Sequence, residues 1–395
     1  FYDNQNDPAT VDGAYGHANG QMRQAAAQTN NGSLGAGICP LCTIMPIKAG
    51  AEALDTPTNL AQAWLYAADA GARVIVSVTA DLGHSSFLAQ AAKNVEDRGV
   101  AVVESSNDFD STDHQGGMFL PGVLPGNGLV SNSNGESGAS KANAATSTFR
   151  ARSDLTSWGP HNVFSVSTEG GSTSESTPTL GGVIGLLESY GKTAADNHQI
   201  KSPLTGVEAE QVLRATASPV NDTALTWPGS PGDWNQQYGY GRPNVLKAMQ
   251  AIAGGDIPPT GQIASPDWYS LYDPISTGDV KVTGALQAPR AGSYSWVLEA
   301  GIGPQPTKFM TIGRGSGNAP YRGVLGDLDL ARVPRSFWSA SYSLSKTKQL
   351  ETAEQYAVTL RLRVTDSNGS MGEDRRAIYV HHDPSLMSGF PRRIG

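Results

Sequence analysis

The stretch Gly170–Ser189, GGSTSESTPTLGGVIGLLES, constrains this chain more than any other. Small hydroxyl residues lead to Pro178, two glycines follow at Gly181 and Gly182, and an apolar, helix-like run comes next: Val183, Ile184, Leu186 and Leu187. A tight Ser/Thr-rich turn feeding a buried helix is a place to hold a nucleophile. A serine at a helix start faces backbone N–H groups that have no partner inside the helix, and these favour developing negative charge. Small neighbours leave room for a substrate backbone, and the helix behind fixes the serine's direction. The competing reading is a hydroxyl-rich loop, capped by Thr177 or Thr179, ahead of an ordinary core helix. The motif alone leaves the two readings level.

Within this stretch, Ser172–Pro178 (STSESTP) resembles the nucleophile motif of subtilisin-like serine proteases, Gly-Thr-Ser-x-Ala-Thr-Pro at the opening of a helix. On that match the nucleophile is Ser174; Ser172 replaces a glycine, Ser176 an alanine, and Glu175 fills the variable place. A second segment resembles the family's histidine region: Asp12–Gly20 contains His17, and Ala25–Ala27, Asn30-Asn31-Gly32 and Met45-Pro46-Ile47-Lys48 follow. The resemblance implies a general base at His17, although Ala18 and Asn19 stand where Gly and Thr are usual. Asn107, after Val100–Val103 and Glu104-Ser105-Ser106, occupies the place of the family's oxyanion-hole asparagine. Trp158-Gly159-Pro160-His161 resembles the turn before the nucleophile, while Ala215-Thr216-Ala217 and Tyr238–Asn244 resemble the closing segments. Taken one at a time, His17 reads equally as a loop histidine and Asn107 as a turn former after a strand. Their order along residues 1–253 is what sets them together.

The chemistry implied is acyl transfer. A neutral imidazole accepts the serine proton near pH 7, and a fixed amide donor stabilises the oxyanion. In the family an Asp on the first core strand orients the histidine. No apolar run precedes His17, and Asp3, Asp7 and Asp12 lie in polar, loop-like sequence. The expectation is therefore a chain cut at both ends, truncated before the first strand, whose orienting carboxylate lies upstream of Phe1 or is lost. Asp108, Asp110, Asp113 and His114 form an oxygen-rich loop. Such a loop reads as a solvated acidic surface or as a structural calcium site. No cofactor is expected.

The chain has 395 residues, with 46 Gly, 24 Pro and 16% charged residues, a composition that suits a secreted, loop-rich protein. Its formal net charge of −8 argues against nucleic acid as a partner. No run approaches the ~20 apolar residues a membrane span requires. The two cysteines, Cys39 and Cys42, sit in Cys-Pro-Leu-Cys with no second ligand pair for zinc. A short structural disulfide is the favoured reading, ahead of free thiols.

Along the chain, strand-like Ile44–Ile47, a helix over Thr58–Ala70 with Thr58 as its cap, strands over Val74–Val78 and Val100–Val103, and a helix over Phe87–Asp97 alternate. That alternation predicts a parallel sheet with helices on both faces. Gly254–Pro259 breaks the composition. Beyond it Tyr356, Val358, Leu360, Leu362 and Val364 alternate with polar or small residues, Ser367-Asn368-Gly369 supplies a turn, and Ala377–Val380 returns. The expected organisation is a subtilisin-like α/β domain (1–253), a linker (254–260), an all-β immunoglobulin-like sandwich (261–385) and a tail or further module (386–395). The expected function is a secreted, monomeric serine endopeptidase acting on peptide or protein substrates. The alternative is an inactive fold of the same type serving as an extracellular binding module. For Cys39 and Cys42, mass spectrometry of unreduced protein should show a chain two hydrogens lighter than the dithiol; two free thiols in secreted material would refute the disulfide.

Overall fold

The computed structural model describes residues 7, 16–33, 35–50, 56–78, 85–105, 129–133, 160, 162–166, 173–218, 234, 238–339 and 356–382. The first part consists of α1 (His17–Ala26), α2 (Pro57–Asp69), β1 (Val74–Ser77), α3 (Ser86–Asp97), β2 (Ala101–Ser105), β3 (Leu129–Ser133), β4 (Phe164–Val166), α4 (Thr173–Asp196), α5 (Gly206–Thr216) and α6 (Val245–Gly254). The four strands pair in parallel in the order β1-β2-β3-β4, with Val74 opposite Ala101 and Val103 opposite Leu129. Alternate residues of β2 serve two different cores. Ala101 and Val103 pack with Leu180 and Ile184 of α4, whereas Val102 packs with Trp64 of α2 and Leu88 of α3. A parallel sheet buried on both faces needs these continuous apolar strands.

Local chemistry sets the helix starts. Thr56 accepts a hydrogen bond from the Asn59 N–H at 3.2 Å and Pro57 takes the first helical place, so the cap of α2 lies two residues before the one expected at Thr58. Ser85 caps α3 by accepting from the Leu88 N–H at 3.3 Å. Thr205 and Glu208 form a reciprocal capping box at α5. Two strand expectations are corrected. Ile44–Ile47 joins no ladder, because among the described residues no strand runs beside it to exchange backbone hydrogen bonds. Val76 is 36% exposed rather than buried, since β1 terminates the described sheet.

Gly255 ends α6 in the left-handed region, at φ 78°, and Ile257-Pro258-Pro259 leads into the second part. That part contains β5 (Thr260–Ser265), β6 (Leu271–Tyr272), β7 (Val280–Gln287), β8 (Tyr294–Ile302), β9 (Met310–Gly317), β10 (Tyr321–Leu328), α7 (Arg335–Trp338), β11 (Ala357–Asp366) and β12 (Met371–Val380). The strands form two sheets, ordered β10-β7-β5 and β6-β12-β11-β8-β9, which share one core around Ile263, Val282, Leu298, Leu325, Leu360 and Ile378. The β11–β12 hairpin turns at Gly369, φ 92°, where the sequence predicts it.

Cys39 and Cys42 are joined by a disulfide, with Cα atoms 5.3 Å apart. The bonded loop lies against α4: a Cβ placed on Gly185 would come 3.1 Å from the Cys42 sulfur.

The two parts are joined by more than the 254–260 segment. Arg290, on the β7–β8 connection, forks onto Glu208, with Nε 2.7 Å from Oε1 and Nη2 2.8 Å from Oε2, and it also donates to the carbonyls of Ser202 and Pro203. The two side chains are 10% and 4% exposed. A buried pair stripped of one partner leaves an uncompensated charge. Arg290→Ala should therefore lower the stability of the whole chain by about 3–5 kcal/mol in urea denaturation followed by circular dichroism. A loss within experimental error would mean that the pair is hydrated and carries no such weight.

Candidate active site

The direction of α4 places its first turn. Gly181 abuts β1 so closely that a Cβ there would lie 2.3 Å from Val76 Cγ2. Further along the helix, Glu188 Oε2 accepts from Arg73 Nε at 2.6 Å, at the start of the same strand. Moving forward along α4 thus moves backward along β1, so the amino end of α4 lies at the carboxyl ends of the strands. Open α/β sheets place their crevices at that edge.

Ser174 sits in the first turn of α4. Thr173, Ser176 and Thr177 are buried, whereas Ser174 and Glu175 keep partial exposure, so helical periodicity turns the serine away from the core. The Ser176 and Thr177 hydroxyls donate back to the Thr173 carbonyl at 3.1 and 2.8 Å, and Thr179 donates to the Glu175 carbonyl at 3.0 Å. These bonds correct the expected caps: the helix already runs through Thr177 and Thr179, whose hydroxyls bond within it. Pro178 lies inside the helix and has no N–H to give the Ser174 carbonyl four residues earlier.

His17 is the first residue of α1, half-exposed, and its Nε2 accepts from the Gln21 side-chain amide at 3.1 Å. α1 crosses α4 at glycine. A Cβ on Gly182 would lie 2.9 Å from the Ala25 carbonyl oxygen and 2.8 Å from Ile38 Cβ. His17 precedes Ala25 by eight residues (25 − 17), and Ser174 precedes Gly182 by eight (182 − 174). Each is therefore about 12 Å along its helix from the same crossing.

Asn107 lies outside the described residues, as do Asp3, Asp12, the acidic loop Asp108–His114 read as a solvated surface or a calcium site, Trp158-Gly159, His161, and Asp81 and His84, whose place after the Val74–Val78 run suits a substrate cleft. Among the described residues no group of three or more His, Cys, Asp or Glu side chains is arranged to hold a metal ion.

Sequence reading passes over Glu104. It is fully buried at the carboxyl end of β2, opposite Ser77 of β1. Burial drives its carboxyl well above the usual carboxylate range, against the opposing effect of a hydrogen bond with the Ser77 side chain. Alternation along β2 puts Glu104 on the Val102 face, toward α2 and α3 and away from α4. A glutamate that closes an apolar run reads as a surface residue; only the layer above the strand end reveals its burial.

No protein-family model matches the chain. In sequence it is 27% identical over 256 residues to thermitase of Thermoactinomyces vulgaris, a subtilisin-like protease, covering 63% of this chain and 79% of that protein. Among solved structures, the PatG macrocyclase domain aligns with a TM-score of 0.47 at 21% identity, covering 60% of this chain and 68% of that one. The prenylagaramide maturation protease PagA aligns at 0.45 and 17% identity, covering 60% and 82% respectively.

Because the neutral form of Glu104 is the one that burial favours, its contribution to stability is complete below the ordinary glutamate range. It is lost as the pH rises toward its elevated folded value. Glu104→Gln should flatten the fall in stability at neutral and higher pH, as read from urea midpoints at several pH values. Identical pH profiles for the two proteins would show that the carboxyl is hydrated.

Proposed function

We propose, from the likeness of its first two-thirds to the subtilisin-like serine proteases, that this chain carries a serine endopeptidase site built on Ser174, His17 and Asn107. The carrying observation is the placement of Ser174. It is partly exposed in the first turn of α4, at the carboxyl edge of a parallel sheet, and as far upstream of the α1–α4 crossing as His17 is. In this reading the two helices run in like direction from the crossing, which would bring the two residues together.

In this reading Ser174 Oγ attacks the scissile carbonyl while His17 takes its proton. The oxyanion is held by the Asn107 amide and by N–H groups at the start of α4. His17 then returns the proton to the leaving amine, and water hydrolyses the acyl-enzyme by the same route in reverse. The hydrogen bond from Gln21 occupies His17 Nε2, so that bond must break before this nitrogen can accept the serine proton. The disulfide supports an oxidising, extracellular setting. Among the described residues no helix is long and apolar enough to cross a membrane. The two-sheet module is read as immunoglobulin-like, and the chain as a monomer.

A serine-reactive fluorophosphonate tests the site directly. Labelling should map to Ser174, vanish in Ser174→Ala and fall by about 10²-fold or more in His17→Ala, general-base assistance being of that size. Gln21→Leu should label at least as fast as the parent. An extension upstream that supplies an orienting carboxylate should raise the rate further. Folded protein that fails to label in either form would move the assignment to a binding module.

A further inference from the structure

The junction between the two parts lies at the opposite end of the sheet from Ser174. Its cleft, about 400 Å³, is lined by Asp97 and Gly99 at the α3–β2 turn, Glu210 and Arg214 of α5, and Asp374 and Arg376 of β12. Three carboxylates line this cleft: Glu96 at the end of α3, Glu210 within α5, and Asp374 on β12. Glu210 is 5% exposed.

Their partners are few and specific. Arg214 pairs with Glu210 along α5 and donates to the Glu373 carbonyl. Gln262 of β5 donates to Glu96 Oε2. The Asp374 carboxylate accepts from the Ile263 N–H at 2.7 Å and the Arg375 N–H at 2.9 Å. The other charged or titratable groups that line the cleft or face the cluster are Lys93 and Asp97 on α3; Arg98; Tyr240; Asp267; Tyr321 and Arg322 on β10; and Glu373, Arg375 and Arg376 on β12. Arg376 is 2% exposed and spends Nη1 on the Pro266 carbonyl at 2.9 Å.

Glu96 and Glu210 belong to the α/β part, and Asp374 belongs to the β module. Docking thus strips water from two carboxylates and brings a third beside them; separation restores the water and removes the neighbour. We propose that docking of the β module is proton-dependent, the Glu96–Glu210–Asp374 cluster holding the junction closed in acid and letting it part as the pH rises.

The direction follows from the environment. Burial, with the like charge of Asp374 and against the attraction of Arg214, pushes the Glu210 carboxyl up to about 7. Burial first, then the charges of Glu210 and Asp374, raises Glu96 as well. Groups raised in the docked state stabilise it fully below their ordinary value of 4.5, and that stabilisation is lost as the pH climbs through about 7. Each proton so linked changes the docking equilibrium about tenfold per pH unit within that window. The Arg290–Glu208 fork and the Arg322–Asp97 pair also cross the junction; each joins opposite charges and neither belongs to the cluster, so the pH dependence proposed is the cluster's.

Small-angle scattering of the full chain from about pH 5 to about pH 9, paired with far-ultraviolet circular dichroism, tests the proposal without reference to Ser174. The expected result is a radius of gyration that grows as the pH rises from about 5 through about 7, while secondary structure stays constant. The doubly substituted Glu96→Gln, Glu210→Gln protein should remain compact across the range. A radius in the parent that does not change with pH overturns the proposal. So does an expansion accompanied by loss of secondary structure, or one that persists unchanged in the double variant. Should the double variant not fold, Asp374→Asn, which removes the like charge but leaves the other two carboxyls, must shift the transition to higher pH; an unmoved midpoint overturns the assignment.

Discussion

The close approach of α4 to its surroundings is the constraint on which the α/β part depends. The helix passes β1 at Gly181, α1 at Gly182, the disulfide loop at Gly185 and Leu204 at Gly191, and at each of these a Cβ would clash or crowd. Glycine in a helix interior costs roughly 1 kcal/mol relative to alanine, so four such residues weaken α4 as an isolated helix. Tertiary packing more than recovers that cost: Leu180, Ile184 and Leu187 on the same helix are fully buried in the main core. This packing also fixes where Ser174 stands, because a helix seated at four contacts has little freedom to rotate or slide.

The site end and the junction end of the sheet are built from different materials. At the carboxyl edge, small hydroxyl side chains bond back into the first turn of α4, and Ser174 is turned away from the core. At the amino edge, charged side chains carry the contact between the two parts. Glu208 serves both its own helix cap and Arg290, and Glu373 meets Tyr240 through its carboxylate at 2.7 Å and Arg214 through its carbonyl. An interface of that kind is sensitive to protonation in a way that an apolar one is not, because burying charge is costly unless it is paired or neutralised.

Much of this architecture is legible in the chain itself. The β-branched runs mark β1 and β2, the alternation from Tyr356 to Val364 marks β11, and the Gly254–Pro259 break marks the boundary. These patterns are local, and burial on one or both faces of a strand writes itself into neighbouring residues. The candidate nucleophile and base are legible for a similar reason, since each sits at a helix start with a recognisable surrounding segment. The strand expected at Ile44–Ile47 failed because an apolar stretch specifies extended backbone but cannot supply the neighbour that would make it a strand.

The sequence by itself determined the kinds of element, their order, and the identity of Ser174 and His17 as candidates. Tertiary structure alone decided that α4 runs against β1, that Thr177 and Thr179 lie within a helix rather than capping one, and that Glu104 is enclosed. It also decided that Glu96 and Glu210 meet Asp374, from well over a hundred positions away, across the junction. The physical reason is one of range. Propensity, periodicity and capping act over a few neighbouring residues, whereas burial of a charge depends on whatever distant segment the fold lays over it.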